Sequence, residues 1–480
     1  MKRLGLVLTL LAALLLAASA VQAGPQGPVV MDPAPAGQGA RQCLDCHHLP
    51  NLASNEGIIA NQELCLECHA KEACSREVKG VRVPLVVKSD LFSPSRHRWV
   101  ACIQCHTDVA RSPHQSVVGA QCLGCHPVHG EGEVHSPHLS VDCAACHHLS
   151  PFVTLDKKTG VVKLARVNLE GEPIALTDHG PANLSQDSLC LRCHVKDNKV
   201  GAPEMVLPAK GLICFPCHTA SFSIGSWWFG LALLIFLVGV AAGGLFYMKG
   251  RVAGVEGSLH HKLAQGSDSL WRAVFSRQLW EAVKVLWFDV LWQRRVLKQS
   301  VRRWFFHSLI YLSILARLGL ALFTWLVHQL WPGSDLAMAL LNKNNGFVAV
   351  AGDLLGLLIL IGVILAALQR WVFKDEQVVA EWTDNLALII LGLMIVLGFV
   401  TEAARIVVSQ VPHEMAVYSF VAYPLSRLLA ATGVDWPAVY GWLWYAHGLV
   451  AALFVAYLPF GKMRHMFTAP LSLIINRRLQ

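Results

Sequence analysis

The chain is 480 residues long, 54% hydrophobic and only 15% charged, with 15 Cys and 22 His. Soluble globular proteins carry about 25% charged residues, so this composition excludes a wholly soluble chain, and it is not that of a disordered, collagen-like or coiled-coil protein. The formal net charge of +8 lies unevenly: residues 24–224 hold 17 Lys/Arg against 19 Asp/Glu, and residues 225–480 hold 21 against 13. The excess sits on the apolar half, which points to a membrane surface and away from nucleic acid.

The N-terminus reads Met1-Lys2-Arg3, then an apolar run from Leu4 to Ala18 broken only by Thr9, then small residues ending at Ala23. A basic start, a short apolar core and a small-x-small ending form a signal peptide over 1–23. Gly24 to Gly39 is a Pro/Gly/Ala-rich linker. The segment that follows is expected outside the cytoplasm, in an oxidising compartment.

Fourteen of the fifteen cysteines fall into seven copies of Cys-x-x-Cys-His. In chain order they are Cys43, Cys46 and His47; Cys65, Cys68 and His69; Cys102, Cys105 and His106; Cys122, Cys125 and His126; Cys143, Cys146 and His147; Cys190, Cys193 and His194; and Cys214, Cys217 and His218. Two thiols three residues apart can each form a thioether to one vinyl group of a porphyrin, and the adjacent His then reaches the iron as proximal ligand. A zinc knuckle pairs Cys-x-x-Cys units in twos, and a thioredoxin-like pair or a disulfide framework requires no trailing His. The motifs predict seven covalent haem c groups.

Each six-coordinate iron needs a distal ligand. Between residues 24 and 224 eight further histidines stand ready: His48, His97, His114, His129, His135, His138, His148 and His179. The counts favour bis-histidine ligation, with Met31 and Met205 as alternatives that raise the potential of their haem. No motif has Lys in place of His, the variant that marks a catalytic haem in multihaem nitrite reductases, so this domain is expected to carry electrons and leave chemistry to others. Cys74 is left over, as a free thiol, a small buried residue or an unusual axial ligand.

One motif per about 25 residues between Cys43 and His218 leaves little polypeptide for an ordinary core. Stacked porphyrins are expected to form it, with short helices carrying the motifs. The one long gap, from Ser150 to Ser188, alternates around Lys158-Thr159-Gly160 and predicts a β-hairpin spanning Val153 to Val167.

Five apolar stretches are long enough to span a bilayer, at about 226–248, 305–330, 347–371, 384–408 and 437–459. Residues 413–432 are amphipathic and predict a surface helix. The fold class expected is mainly α: a haem-packed c domain with little regular structure (24–224) and a five-helix transmembrane cytochrome b domain (225–480). Segment 249–303 has eleven Lys/Arg against four acids, and the tail carries Lys462, Arg464, Arg477 and Arg478. The positive-inside rule then places the C-terminus in the cytoplasm and the haem domain in the periplasm of a bacterial inner membrane. Trp271, Trp280, Trp287 and Trp292 punctuate the basic segment as an interfacial helix or a docking surface.

Histidines in membrane spans are functional candidates. His307 and His465 lie level at one side of the membrane on antiparallel helices, and His328 and His447 lie roughly level nearer the other. Paired His from facing helices hold non-covalent haem in a bundle, so one or two haem b groups are expected. Glu402 and Arg405, ending the fourth span, read as a helix-end ion pair or as proton-handling groups.

Three segments carry a resemblance: Gln293-Arg-Arg through Arg302-Arg-Trp-Phe-Phe-His307, Gly398-Phe-Val-Thr-Glu-Ala-Ala-Arg405, and His447 with Leu458-Pro-Phe-Gly-Lys-Met-Arg-His465. Residues 225–480 resemble the gamma subunits of respiratory nitrate reductase and the related cytochrome b subunits of heterodisulfide-reductase-like complexes. The resemblance implies a five-helix subunit, usually with two haem b groups, exchanging electrons with quinol and an iron–sulfur partner. It carries over for His307 with His465. In the nitrate reductase pattern a second His lies ten residues after the first, where this chain has Arg317, so the outer site requires His328 as replacement partner for His447, and Arg317 reads as a haem propionate ligand or as part of another polar pair.

Two functions follow. In the first, the chain links the quinone pool (menaquinone or ubiquinone) through haem b to the c haems and a periplasmic donor or acceptor cytochrome, with a cytoplasmic iron–sulfur subunit as a further partner. In the second, the bundle only anchors a c-haem wire and has no quinone chemistry. A catalytic multihaem reductase is disfavoured by the absence of an open-ligand motif.

Overall fold

In a computed structural model, the structure describes residues 51–475 apart from 79, 110–119, 123–124, 127–135, 180–188, 221, 248–257, 277–278, 333 and 374–381. The expected signal peptide, Met31, the first motif (Cys43, Cys46 and His47), and His48, His114, His129 and His135 lie outside the described residues.

The Cys-x-x-Cys-His sequence recurs as one tight turn. Helix α1 (Asn55–His69) is capped by Ser54, whose Oγ accepts from Gly57 N at 3.2 Å, and it carries Cys65, Cys68 and His69 on its last turns. Helix α2 is only Cys102–Cys105, and α3 is Cys143–His147, capped by Asp142, which accepts from Ala144 N at 3.1 Å. In four motifs the His backbone N–H donates to the first Cys carbonyl: His106 to Cys102 at 2.9 Å, His126 to Cys122 at 3.0 Å, His194 to Cys190 at 2.9 Å and His218 to Cys214 at 2.9 Å. An i to i−4 bond is one α-helical turn, and it puts both thiols of each motif on one side with the imidazole following.

Strands are few. Ser75–Val78 (β1) pairs antiparallel with Val81–Pro84 (β2) across Gly80 at φ +79°, a hairpin that sequence alternation did not announce. The expected hairpin is present as Val153–Asp156 (β3) and Val161–Leu164 (β4), in the register Val153–Leu164. It is shorter at its far end than the pattern suggested. Gly160 closes the turn at φ +69°, a left-handed position that Gly occupies at no steric cost.

Five helices are long and apolar enough to cross a membrane: α4 (Trp227–Tyr247), α6 (Val301–Leu330), α8 (Gly346–Ala367, within a span of Asp335–Val372), α9 (Trp382–Val408) and α11 (Trp436–Tyr457). Between them lie the basic helix α5 (Leu259–Phe275), the short α7 (Asp335–Leu341), the amphipathic α10 (Ala422–Ala430) and, after them, the terminal α12 (His465–Ile475). The five apolar helices mark a membrane protein, as the sequence indicated.

The bundle core is Ile359 and Val363 of α8, Leu391, Met394, Ile395 and Phe399 of α9, and Phe454 of α11. Helices α6 and α8 approach closely at Gly362, where a Cβ would stand 2.7 Å from Ile310 Cγ1. Asp353 of α8 accepts from Val421 N at 2.7 Å and Ala422 N at 3.0 Å, so a buried carboxylate satisfies two amides at the start of α10.

The chain divides into two compact units. One takes residues to His129, Pro137–Val206 and Ser409–His413; the other includes Leu207–Val408 and Glu414 onward. Segment 207–224, assigned from the sequence to the c domain, therefore packs with the helices. Ile213 joins Phe229 and Ala232 of α4 and Ala452 of α11, while Phe215 and Ala220 join Ala321 of α6. These apolar side chains cover the helices, although their Cys-x-x-Cys-His motif matches the six upstream of it.

Candidate functional site

Histidine rings meet in pairs. In the first unit His97 faces His126 with ring centroids 5.9 Å apart, His106 faces His179 at 6.0 Å, and His138 faces His194 at 6.1 Å. In the second, His218 faces His447 at 6.1 Å and His307 faces His465 at 5.9 Å. Two imidazoles on opposite sides of one metal, at about 2 Å per metal–nitrogen bond and about 1 Å more from each nitrogen to its ring centre, have centroids about 6 Å apart. Of these pairs, each of the four that contain a motif His joins it to a non-motif His, the combination that proximal and distal ligation of one haem requires. Among the described residues no group of three or more His, Cys, Asp and Glu side chains stands together as a site for a bare metal ion. A haem asks for only a pair, because the porphyrin supplies the remaining ligands.

The motif thiols are accessible for thioether bonds. Cys68, Cys125 and Cys143 are exposed, and the other described motif cysteines are half-buried. None of the described cysteines forms a disulfide. Cys125 lies just before His126, the ring that meets His97, so the fourth motif keeps an open thiol beside a paired imidazole. The corresponding placement of Cys43, Cys46 and His47, and of the neighbouring His48, lies outside the described residues.

The ring orientations agree with ligation. His179 Nδ1 lies 2.6 Å from Thr177 O, His194 Nδ1 2.9 Å from Pro203 O and His69 Nδ1 2.9 Å from Leu85 O. In the bundle, His307 Nδ1 lies 2.9 Å from Gln293 Oε1 and His465 Nδ1 2.6 Å from Lys462 O. A carbonyl oxygen can only accept, so Nδ1 holds the proton and the Nε2 lone pair remains for iron. Burial, and then the neighbouring His179, lower the pKa of His106. Burial holds His218 well below the ordinary imidazole range, with Lys343, Lys210 and Arg317 adding to the effect. A neutral imidazole is the form that binds metal. The residues present fit bis-histidine haem.

His148 stands apart. Its Nδ1 accepts from Ser150 N at 3.0 Å, so the proton sits on Nε2 and this ring is the reverse of the carbonyl-bound imidazoles. Its carbonyl instead receives Arg192 Nη1 at 2.8 Å, which also donates to Ala145 O at 3.0 Å and Ser150 O at 3.2 Å, joining the fifth motif to the sixth. Cys74 Sγ lies 3.7 Å from His69 Nδ1. The same ring nitrogen faces the Leu85 carbonyl at 2.9 Å, so the thiol is a neighbour of the His69 ring on its Nδ1 side.

The expected pairing of His328 with His447 gives way to a different one: the ring that meets His447 is His218. His328, near the end of α6, has a buried Nδ1 with no hydrogen bond. The sequence did not announce that the His218 and His447 rings meet, because no linear signal ties residue 447 to the seventh motif.

Polar groups around Glu402 are mutually paired. Arg405 binds Glu402 at 2.8 Å and Asn344 Oδ1 at 2.9 Å, and Lys343 approaches Glu402 at 3.8 Å. Glu402 and Arg405 thus form the ion pair, with two further polar partners. Arg317 donates to the Gly352 carbonyl, while its Nε is buried without a partner. Next to His307, Tyr311 at 5.9 Å between ring centroids also lines an apolar cleft with Val283, Leu286, Trp287, Val290 and Leu291.

Residues 320–480 match the family model described as nitrate reductase gamma subunit. The chain is 25% identical over 199 residues to a subunit of the dihydromethanophenazine:CoB–CoM heterodisulfide reductase of Methanosarcina acetivorans, a match covering 41% of this chain and 66% of that relative. Over 194 residues it is 27% identical to an EtfAB:quinone oxidoreductase from Syntrophomonas wolfei, covering 38% of this chain and 26% of the relative. No solved structure matches. These similarities support a membrane cytochrome b half of the kind found in subunits of quinone-linked redox complexes.

Proposed function

We propose that this chain is the membrane electron-transfer subunit of a quinone-linked oxidoreductase, connecting the quinone pool through haem b to seven periplasmic c-type haems and a soluble donor or acceptor cytochrome. The observation that carries the reading is the pairing of histidines: motif His with non-motif His in three places in the first unit, and His307 with His465 in the bundle. Bound haem iron supplies reversible one-electron transfer.

The protein's own residues define the rest. Six cysteine pairs fix a porphyrin covalently: Cys65 with Cys68, Cys102 with Cys105, Cys122 with Cys125, Cys143 with Cys146, Cys190 with Cys193 and Cys214 with Cys217. Cys43 and Cys46, followed by His47, make the seventh pair, so haem loss does not compete with repeated redox cycling. Gln293 and Lys462 orient His307 and His465 through their Nδ1 protons. The apolar cleft beside Tyr311 offers a quinone headgroup and tail a site next to His307. The basic helices after α4 face the cytoplasm under the positive-inside rule and present Trp271 and Trp280, both exposed, to a lipid headgroup layer or an iron–sulfur subunit.

The test is the haem content of the detergent-purified protein together with reduction by a quinol. Seven covalently retained haems, extractable haem b, and quinol-dependent reduction that is lost in His465→Ala with the covalent haems intact are expected. Seven covalent haems without any haem b would leave the anchored-wire function in its place.

A further inference from the structure

Resting on that reading, we infer that His447 of α11 is the distal ligand of the seventh covalent haem, so that a c-type haem attached at Cys214 and Cys217 occupies the bundle where His447 was expected to serve a second haem b. The juxtaposition is direct: the His218 and His447 rings stand 6.1 Å apart at 78°, within 0.2 Å of the separation in the four other histidine pairs.

Three further features belong to this site. The segment that carries the motif is closed on itself, with Leu212 N donating to Ser223 O at 2.8 Å and Lys210 Nζ to Thr219 O at 3.2 Å, and it meets the bundle through Ile213, Phe215 and Phe222, which stacks on Phe215 and meets Trp325 edge-on, with 5.1 Å between centroids in each case. Glycine opens space around His447. A Cβ at Gly398 of α9 would stand 3.3 Å from His447 Cε1, a tight approach, so the absence of a side chain at position 398 lets the imidazole lie close against helix α9. The Met394 carbonyl faces His447, although no hydrogen bond of ordinary geometry closes on its Nδ1.

Arg317 completes the set. It lies near Cys217 and His218, and its Nε has no partner. The nearest carboxylates are already engaged: Asp353 holds two backbone amides, and Glu402 holds Arg405. A buried guanidinium with spare donors is costly unless an anion meets it, and the propionate of a haem attached at Cys217 is an anion of the right chemistry. Under this assignment the chain binds one haem b, at His307 and His465, and His447 is no longer available to a second.

The experiment compares wild type, His447→Ala, His447→Met and His328→Ala, each purified as the full chain in detergent. Denaturing mass spectrometry counts covalent haem, acid-acetone extraction counts haem b, and magnetic circular dichroism with carbon monoxide titration reads the spin state and open coordination positions. The expected result is unchanged covalent and extractable haem in all four proteins. One additional haem per chain binds carbon monoxide in His447→Ala. In His447→Met that haem stays six-coordinate, gains a sulfur-ligation charge-transfer band and shifts to higher potential, and His328→Ala behaves as wild type. Two extractable haems falling to one in His447→Ala, with every covalent haem still six-coordinate, would overturn the assignment and leave the electron-transfer reading standing. Covalent haem absent from the wild type would overturn both. The Met variant separates loss of a ligand from loss of folding, because it retains a ligand at the same position.

Discussion

Under the proposed function, Gln293 is the residue through which the bundle sets the affinity and potential of the non-covalent haem at His307 and His465. It sits at φ +50°, a left-handed conformation, at the head of a short helix over Arg294–Gln299, and its Oε1 receives the Nδ1 proton of His307 at 2.9 Å. Leu at this position carries the same backbone strain and similar volume but cannot accept a hydrogen bond. Removing a partner that orients a metal-bound His costs about 10–100-fold in metal affinity, which is about 1.4–2.7 kcal/mol. Gln293→Leu should therefore shift the haem b titration midpoint by one to two decades while leaving the covalent haems untouched. The potential should move in step. With the acceptor gone the imidazole is a poorer donor, ferric iron is less stabilised and the midpoint rises. Gln293→Glu, a stronger acceptor, should lower it, with about 59 mV for each tenfold change in relative affinity for the two oxidation states. Haem titration and potentiometry of the b band check both signs. A Leu variant with wild-type haem affinity and wild-type midpoint would refute the argument that this hydrogen bond tunes the site.

Arg192→Met should loosen the contact between the fifth and sixth motifs, because one guanidinium nitrogen serves the carbonyls of Ala145, His148 and Ser150; a loss of about 1.5–3 kcal/mol is expected for hydrogen bonds to a charged group, read as a lower melting temperature with unchanged haem content. Gly362→Ala should destabilise the α6–α8 contact by about 1–3 kcal/mol, since its Cβ would fall 2.7 Å from Ile310 Cγ1 and 3.0 Å from Leu309 Cβ; detergent melts measure it, and Gly319→Ala, with nothing within 4 Å, is the control. The Lys163 ion pair and the Lys158 amide hold Asp156 down at about 2 from its ordinary 3.8. A depressed folded-state pKa makes this stabilisation of the β3–β4 hairpin fully present above about pH 4 and lost as pH falls through about 2. Amide exchange across Val153–Leu164 should show that loss in the wild type and its absence in Asp156→Asn.

The parts legible in sequence are those set by local rules. Spans longer than 20 apolar residues, the Lys158-Thr159-Gly160 turn and seven motif repeats each follow from a spacing that physics requires at short range. The start of α6 at Val301, four residues before the apolar run, was not legible because Ser300 caps it by accepting from Arg303 N at 3.3 Å, and polar residues can occupy a first turn that protrudes from the apolar layer. Hairpin β1–β2 escaped because Ser75-Arg-Glu-Val has only one apolar residue, and its register is carried by pairing across Gly80. The histidines were legible as candidates, and which rings meet was not. Eight spare histidines for seven motifs made the count close, yet His148 spends its Nδ1 on the Ser150 amide and His447 comes from more than 200 residues away. Both facts depend on which elements pack together.

The seventh motif shows why that packing matters for function. A c-type motif requires only a turn, so its sequence says nothing about whether water or helices surround it. Ile213, Phe215 and Phe222 decide the matter, because apolar side chains on a short turn gain most by covering α4, α6 and α11. Once they are docked, His218 has no choice of partner outside the bundle, and Arg317, a charge that would otherwise be stranded between α6 and α8, acquires a neighbour with compatible chemistry. Under the proposed assignment, Arg317 and a haem attached at residues 214–218 are then two parts of one site. Neither is stable alone: a docked haem without Arg317 leaves a propionate in an apolar bundle, and Arg317 without the haem leaves a guanidinium there. Arg317→Leu should accordingly perturb the potential of the His218–His447 centre more than it perturbs the His307–His465 centre, and equal shifts in the two would separate Arg317 from the seventh haem.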